Sequence, residues 1–120
     1  MTNKYILNSC NCKGFTDDEV YGAYKIFFQT LVSGSRLKII NILRKKEMNV
    51  SEIVKELNMD QTAISHDLKR LKECGFVTSI INGKFRYYKL NKKTILPIMD
   101  LIDKHMAGHC IHILERGMKK

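Results

Sequence analysis

The side chains best suited to chemistry in this 120-residue chain are four cysteines and four histidines. Cys10 and Cys12 stand two residues apart. Thiols so spaced can chelate a soft metal ion or arsenite, but two ligands are too few, and Cys110 is a candidate third. Cys110 also falls in an apolar stripe, where free cysteine serves as a small hydrophobe. Cys74, at the end of a predicted helix, is expected to fill core. Ser65-His66-Asp67 supplies the three residue types of a hydrolase triad. Consecutive helical residues point about 100° apart, so these three cannot hydrogen-bond in series. The chain has no P-loop, no G-x-G-x-x-G and no H-E-x-x-H. Enzymatic activity is not expected.

Charge points elsewhere. Lysine and arginine number 21 against 12 acidic residues, a net +9. Residues 1–60 carry 9 basic and 7 acidic side chains, whereas residues 61–120 carry 12 and 5. A small domain with its positive charge in one half suits a polyanionic partner, nucleic acid first. The length fits one domain. No apolar run approaches the roughly 18–20 residues that span a bilayer, and the start lacks a signal peptide's apolar stretch. A cytoplasmic protein with reduced thiols is the expectation, with no membrane partner. With 44% apolar residues and a single proline, the chain has the composition of a folded domain.

The elements that must position these groups can be read in order. Residues 1–15 are weakly patterned and read as a flexible arm carrying the Cys-x-Cys. The domain proper is expected over 16–116. Thr16-Asp17-Asp18-Glu19 has the form of a capping box. The helix it opens has Val20, Tyr24, Phe27, Phe28 and Leu31 at helical spacing and breaks at Ser33-Gly34-Ser35. A second helix is predicted from about Arg36 to Lys46, with Leu37, Ile40 and Leu43 inward. Asn49-Val50-Ser51-Glu52 opens a third, which ends at Leu57 and packs Ile53, Val54 and Leu57. Asp60 is a good N-cap for a fourth running to about Cys74. Its core face is Ile64, Leu68 and Leu71, and Gly75 is its stop.

The period then changes. Residues 76–81 are rich in aromatic and β-branched types, Asn82-Gly83 is a strong hairpin signal, and residues 84–90 alternate. A final helix is predicted over roughly 94–116, capped by Thr94, with Pro97 in its first turn. Its stripe of Ile95, Ile98, Met99, Ile102, Met106, Cys110 and Ile113 is long for a terminal helix. It fits burial against another copy of the chain.

Two short helices joined by a tight turn, at 51–57 and 60–73, form a helix-turn-helix. Gln61, Thr62, Ser65, His66 and Lys69 face outward on the second. Such side chains can hydrogen-bond base edges, while Lys69, Arg70 and Lys72 can neutralise phosphates. The hairpin tip, with Asn82, Gly83, Lys84 and Arg86, reads as a wing. The fold class is mainly α with a β-hairpin wing: a winged helix-turn-helix of four helices, two strands and a helix. The same fold used only for protein contacts is the competing reading.

These residues resemble the ArsR/SmtB repressors. Phe28 to Leu43, with Ser35-Arg36-Leu37 at its centre, is similar to the family's second-helix signature. Residues 60–71 resemble its recognition helix, and Leu71-Lys-Glu-Cys-Gly-Phe-Val77 and Gly83-Lys-Phe-Arg-Tyr-Tyr-Lys-Leu90 its passage into the wing. The likeness covers about residues 16–115. It implies a homodimer paired through its first and last helices, two recognition helices on an inverted repeat of operator DNA, and release by an inducer. It places Gln61, Thr62, Ser65 and His66 at base and phosphate contacts. Asp67 stands where the family pattern has a second histidine, and would put an acid near DNA.

The resemblance also bears on the inducer. Asn49 and Ser51 stand where the family's arsenic site has cysteines, so that site is absent. The family's zinc-type site pairs Asp-x-His of one subunit with His-x-x-Glu or His-x-x-His of the other. Here the matching residues are Asp103, His105, His112 and Glu115. Seven residues separate the two histidines where the family has eleven, and His109 adds a group on the same side. The expected function is a transcriptional repressor released by a metal or metalloid: arsenite or cadmium through Cys10, Cys12 and Cys110, or zinc through the last helix. A disulfide or persulfide switch at the same cysteines is the alternative. A metal- or partner-binding module that does not touch DNA is the rival from another class.

Overall fold

Helix starts follow the predicted caps closely. The computed structural model describes residues 14–118, so Cys10 and Cys12 lie outside the described residues. Helix α1 spans Asp17–Val32 and opens on a reciprocal capping box: Glu19 N–H donates to Thr16 Oγ1 at 3.1 Å, and Thr16 N–H to Glu19 Oε1 at 3.0 Å. Helix α2 spans Gly34–Leu43 with Ser33 as N-cap. Helix α3, Val50–Leu57, opens on the matching box of Asn49 and Glu52. Helix α4, Gln61–Glu73, opens where Ala63 N–H donates to Asp60 Oδ2 at 3.1 Å. Gly75 then takes a φ of 77°, a left-handed value that only glycine adopts cheaply, and the chain turns into the sheet.

The sheet has three strands in the order β1-β3-β2, all antiparallel: β1 Met48–Asn49, β2 Val77–Asn82 and β3 Phe85–Leu90. The two-residue β1 pairs Met48 with Tyr88 and Asn49 with Tyr87. It was not foreseen, because two residues are too short to show a period. The β2–β3 register pairs Asn82 with Phe85, so the turn is Gly83-Lys84 and not Asn82-Gly83. Gly83 has a φ of 66° and Lys84 is not in the left-handed region, the pattern of a turn with glycine first.

The core gathers Ile39, Ile40, Leu43, Ile53, Ile64, Leu68, Leu71, Phe76, Val77, Leu90 and Ile95. All three inward residues predicted for α4 are fully buried. In α2 the phase is corrected: Leu37 is 38% exposed, and Ile39 joins Ile40 and Leu43 inside. The inward stripe steps through 36, 39, 40 and 43, which leaves position 37 to the side. In α1, Val20 is buried and Phe27 packs edge-on against Phe76 at 5.0 Å between ring centres, but Tyr24 and Phe28 are exposed. Cys74 is half-buried against the core, with Sγ 3.4 Å from Thr30 Oγ1, as a filling role predicts.

The last helix departs most from expectation. It is two helices, α5 Ile95–His109 and α6 Ile111–Met118. Cys110 leaves the helical range, with φ −126° and ψ 22°, two residues after Gly108, the weakest helix former of this stretch after Pro97. Thr94 makes no capping hydrogen bond. Asn91 takes that place: its carbonyl accepts from Ile95 N–H at 3.2 Å, and its side-chain amide donates to Gly75 O at 3.1 Å.

Candidate nucleic-acid interface

The helix-turn-helix is α3 and α4. Asn58 ends α3 with a φ of 52°, a left-handed value that asparagine tolerates. Met59 N–H donates back to Val54 O at 3.4 Å, and Asp60 starts α4. With Ile64, Leu68 and Leu71 fixed in the core, the helical period leaves Gln61, Thr62, Ser65, His66, Lys69 and Arg70 on the outer face, and all six are exposed. His66, Lys69, Arg70 and Glu73 line a shallow recess of about 250 Å³ along that face.

Asp67 does not join them. It accepts from Ser35 Oγ and lies 3.3 Å from Arg36 Nη1, with only 13% of its side chain exposed. The acid expected near DNA is therefore turned to α2. Arg36 also donates to the carbonyls of Thr30 at 2.6 Å and Gln29 at 3.4 Å, in the last turn of α1. One guanidinium thus ties α1, α2 and α4 together, and it complements the negative C-terminal end of α1.

The wing is joined to α4 where Lys72 Nζ donates to Ser79 Oγ of β2 at 2.9 Å. Of the three basic residues given a phosphate role on this helix, Lys72 is engaged, while Lys69 and Arg70 make no ion pair among the described residues. At the wing, Asn82, Gly83, Lys84 and Arg86 are all exposed, and Lys84 Nζ sits 5.5 Å from the centre of the Phe85 ring. Exposed basic groups thus lie on both α4 and the wing.

The candidate metal ligands of the last helix are less assembled. Asp103 Oδ2 accepts from Arg44 Nη2 at 2.7 Å, and the same nitrogen donates to Asp100 Oδ1 at 2.8 Å. These hydrogen bonds, Asp103 first, raise the Arg44 pKa above its ordinary value. His105 Nε2 lies 3.2 Å from Cys110 Sγ, and the His105 and His109 rings are 5.1 Å apart. His112 and Glu115 are exposed on α6, beyond the break. Among the described residues, no three histidine, cysteine, aspartate or glutamate side chains converge as a metal site would require. Sequence reasoning missed the Ser35–Asp67, Arg36–Asp67 and Arg44–Asp103 pairings. Partners 31 to 59 residues apart leave no periodic signal.

Helix-turn-helix, exposed polar recognition face and hairpin wing together define a winged-helix DNA-binding regulator. Residues 33–79 match the family described as bacterial regulatory protein, arsR family. The transcriptional repressor SdpR of Bacillus subtilis is 31% identical over 64 residues, 53% of this chain and 71% of that protein. The cadmium resistance transcriptional regulatory protein CadC of Listeria innocua is 36% identical over 76 residues, 62% of this chain. The match spans 64% of CadC, just under two thirds of its length. Among solved structures, the homodimeric winged helix-turn-helix DNA-binding domain of a possible ArsR-family regulator from Mycobacterium bovis superposes with a TM-score of 0.71 at 24% identity, over 80% of this chain and 91% of that one. The chain belongs to the ArsR family of transcriptional regulators. Among the described residues no helix is long and apolar enough to cross a membrane.

Proposed function

We propose that the chain is a homodimeric repressor that holds operator DNA through α4 and the wing and is released by a metal or metalloid inducer. The observation that carries this reading is the sorting of charge on α4: the polar and basic residues face out, and Asp67 is tied inward. Gln61, Thr62, Ser65 and His66 are assigned to base edges and nearby phosphates. Lys69, Arg70, Lys84 and Arg86 are assigned to the backbone.

Dimerisation is supported by apolar surface on α1 and α5–α6. Phe28, Val32, Leu101 and Ile113 are exposed, Val32 to 76%. Phe15, Val20, Ala23 and Ile26 line a groove of about 460 Å³. A lone soluble domain rarely leaves so much apolar surface uncovered. The homodimeric relative from Mycobacterium bovis fits the same reading.

For the inducer, the cadmium-resistance relative favours a divalent or soft ion. Asp103, His105, His112 and Glu115 offer oxygen and imidazole donors of the types that zinc takes. They match such an ion in donor type only, and a complete set would have to be drawn from two chains. When bound, such an ion would supply Lewis-acid coordination to these carboxylate and imidazole donors. The residues' part is to hold it in the DNA-free form more tightly than in the DNA-bound form, since only that difference shifts the equilibrium. The thiols Cys10, Cys12 and Cys110 are the other set. The 3.2 Å approach of Cys110 Sγ to His105 Nε2 favours a second reading, in which the switch is thiol chemistry at Cys110. Fluorescence anisotropy on the chain's own upstream DNA, with arsenite, cadmium and zinc added singly to the reduced protein, separates these. Zinc-only release selects the last helix, arsenite or cadmium release selects the thiols, tight binding indifferent to all three leaves a redox or other switch, and no binding at all contradicts the DNA reading.

A further inference from the structure

Three large apolar side chains crowd the open end of the wing. Ile80, Ile81 and Phe85 all lie close to the Gly83-Lys84 turn and all are exposed, Ile81 to 70% and Phe85 to 43%. The β2–β3 register sorts them onto two faces, because successive residues of a strand alternate. Ile81 pairs with Arg86, on the face that begins in the core at Val77 and Leu90. Phe85 shares the opposite face with Ile80 and Tyr87. Its ring centre lies 6.4 Å from that of Tyr87 and 5.5 Å from Lys84 Nζ. The tip is thus apolar on both faces and carries cations among its apolar groups. Residues 74–99 hold five lysine and arginine side chains and no acid. Strand β2 is an edge of the sheet, yet two copies meeting there would set the Lys84 and Arg86 of each against those of the other. A polyanion with apolar surface of its own suits the tip better than a second copy.

We propose that Ile81 and Phe85 are DNA-contact residues, lying against deoxyribose rings on the walls of the minor groove while Lys84 and Arg86 take the adjoining phosphates. This rests on the reading that α4 and the wing hold DNA. The sugars are the apolar surface that a duplex offers beside its phosphates. The minor groove is about 6 Å wide, so side chains on opposite faces of a narrow tip reach opposite walls. Apolar side chains serve minor-groove proteins in this way. Ile81 and Arg86, side by side on one face, match the sugar and the phosphate of one backbone segment. Burying Ile81 and Phe85 removes apolar surface from water and releases no counterions. The wing therefore adds a part of the affinity that salt does not weaken and that every sequence shares.

The test is fluorescence anisotropy of the full chain on its own upstream duplex and on a scrambled duplex, over a salt series, for the wild type, I81T/F85T and R86Q. Threonine keeps the β-branching that suits a strand and removes the apolar bulk. I81T/F85T is expected to weaken binding to both duplexes about ten-fold or more, the scale of a few apolar contacts from two wings, with the salt slope unchanged. R86Q should lower the slope by about two, one for each protomer. If the wild type binds neither duplex, the DNA reading and the proposal both fall. If R86Q lowers the slope while I81T/F85T binds within about two-fold of the wild type, the reading stands and the sugar contact is overturned. A fall in slope for I81T/F85T equal to that of R86Q also overturns it, since the loss is then electrostatic. Sedimentation of the DNA-free chain covers the other occupant: a wild type heavier than a dimer, reduced to a dimer by I81T/F85T, would make the tip an interface between copies and overturn the proposal. Thermal denaturation checks folding, and I81T alone, at the more exposed position, decides in the same way if the double variant does not fold.

Discussion

Arg36 Nη1 and Asp67 Oδ1 meet at 3.3 Å, bridging the second helix and the middle of the recognition helix. The carboxylate also accepts from Ser35 Oγ. This arrangement keeps the one acidic side chain of the middle of α4 off its exposed face. An acid at position 67 would repel phosphates if it faced outward; held by Arg36, it orients the helix instead.

The bridge is mostly shielded, so breaking it should cost stability. Asp67→Ala leaves Arg36 without its carboxylate, a loss of about 1–3 kcal/mol by the usual cost of stranding a shielded charged donor. Urea denaturation of the variant measures it. An unchanged midpoint, together with markedly tighter DNA binding, would instead mean that Asp67 faces the phosphates.

Lys69 and Arg70 should act through phosphates. Lys69→Ala is expected to weaken binding about equally on cognate and scrambled duplexes and to reduce the salt slope by roughly two, about one for each protomer of the dimer. Ser65→Ala should instead reduce the preference for the cognate duplex with the slope unchanged. Anisotropy titrations at several salt concentrations distinguish these patterns. Identical behaviour of both variants to the wild type contradicts the assignment of α4.

Gly83 carries the turn of the wing at a φ of 66°. Gly83→Val should destabilise the domain by about 1–2 kcal/mol, the cost of a left-handed conformation for a residue with a Cβ. Its thermal midpoint should fall by several degrees. A midpoint equal to that of the wild type would show that the turn relaxes at no cost.

The core ties α4 to the sheet, so Leu68→Ala should cost about 2–5 kcal/mol as a fully buried leucine. Far-UV circular dichroism during denaturation would register it. A loss below about 1 kcal/mol would mean that α4 is not packed as described.

Much of this architecture was legible because it is local. Capping boxes at Thr16 and Asn49, the N-cap at Asp60 and the stop at Gly75 are each written in four residues or fewer, and each is observed. The recognition helix was legible in both faces, because Ile64, Leu68 and Leu71 fix its phase. What failed was set at longer range or by single residues. The resemblance put the acid of Asp67 near DNA, but Arg36, 31 residues away, holds it against α2. The last helix kept its apolar period through Cys110, yet the backbone breaks there. Thr94 had the right chemistry to cap α5, but Asn91 is bonded to both Gly75 and the start of that helix. Leu37 was placed inward with Ile40 and Leu43, but the buried stripe runs through Ile39, Ile40 and Leu43 and leaves position 37 to the side.

The central claim is that the outer face of α4 reads DNA. The most direct measurement is anisotropy of the wild-type chain on a labelled duplex from its own upstream region, against a scrambled duplex of equal length, across a salt series. The account predicts a preference for the upstream duplex of about 10³-fold or more, with affinity falling linearly in the logarithm of salt concentration. It also predicts that Gln61→Ala with Ser65→Ala removes most of that preference and leaves the scrambled duplex bound as before. Equal affinity for both duplexes, or a preference that survives the double substitution, would contradict it.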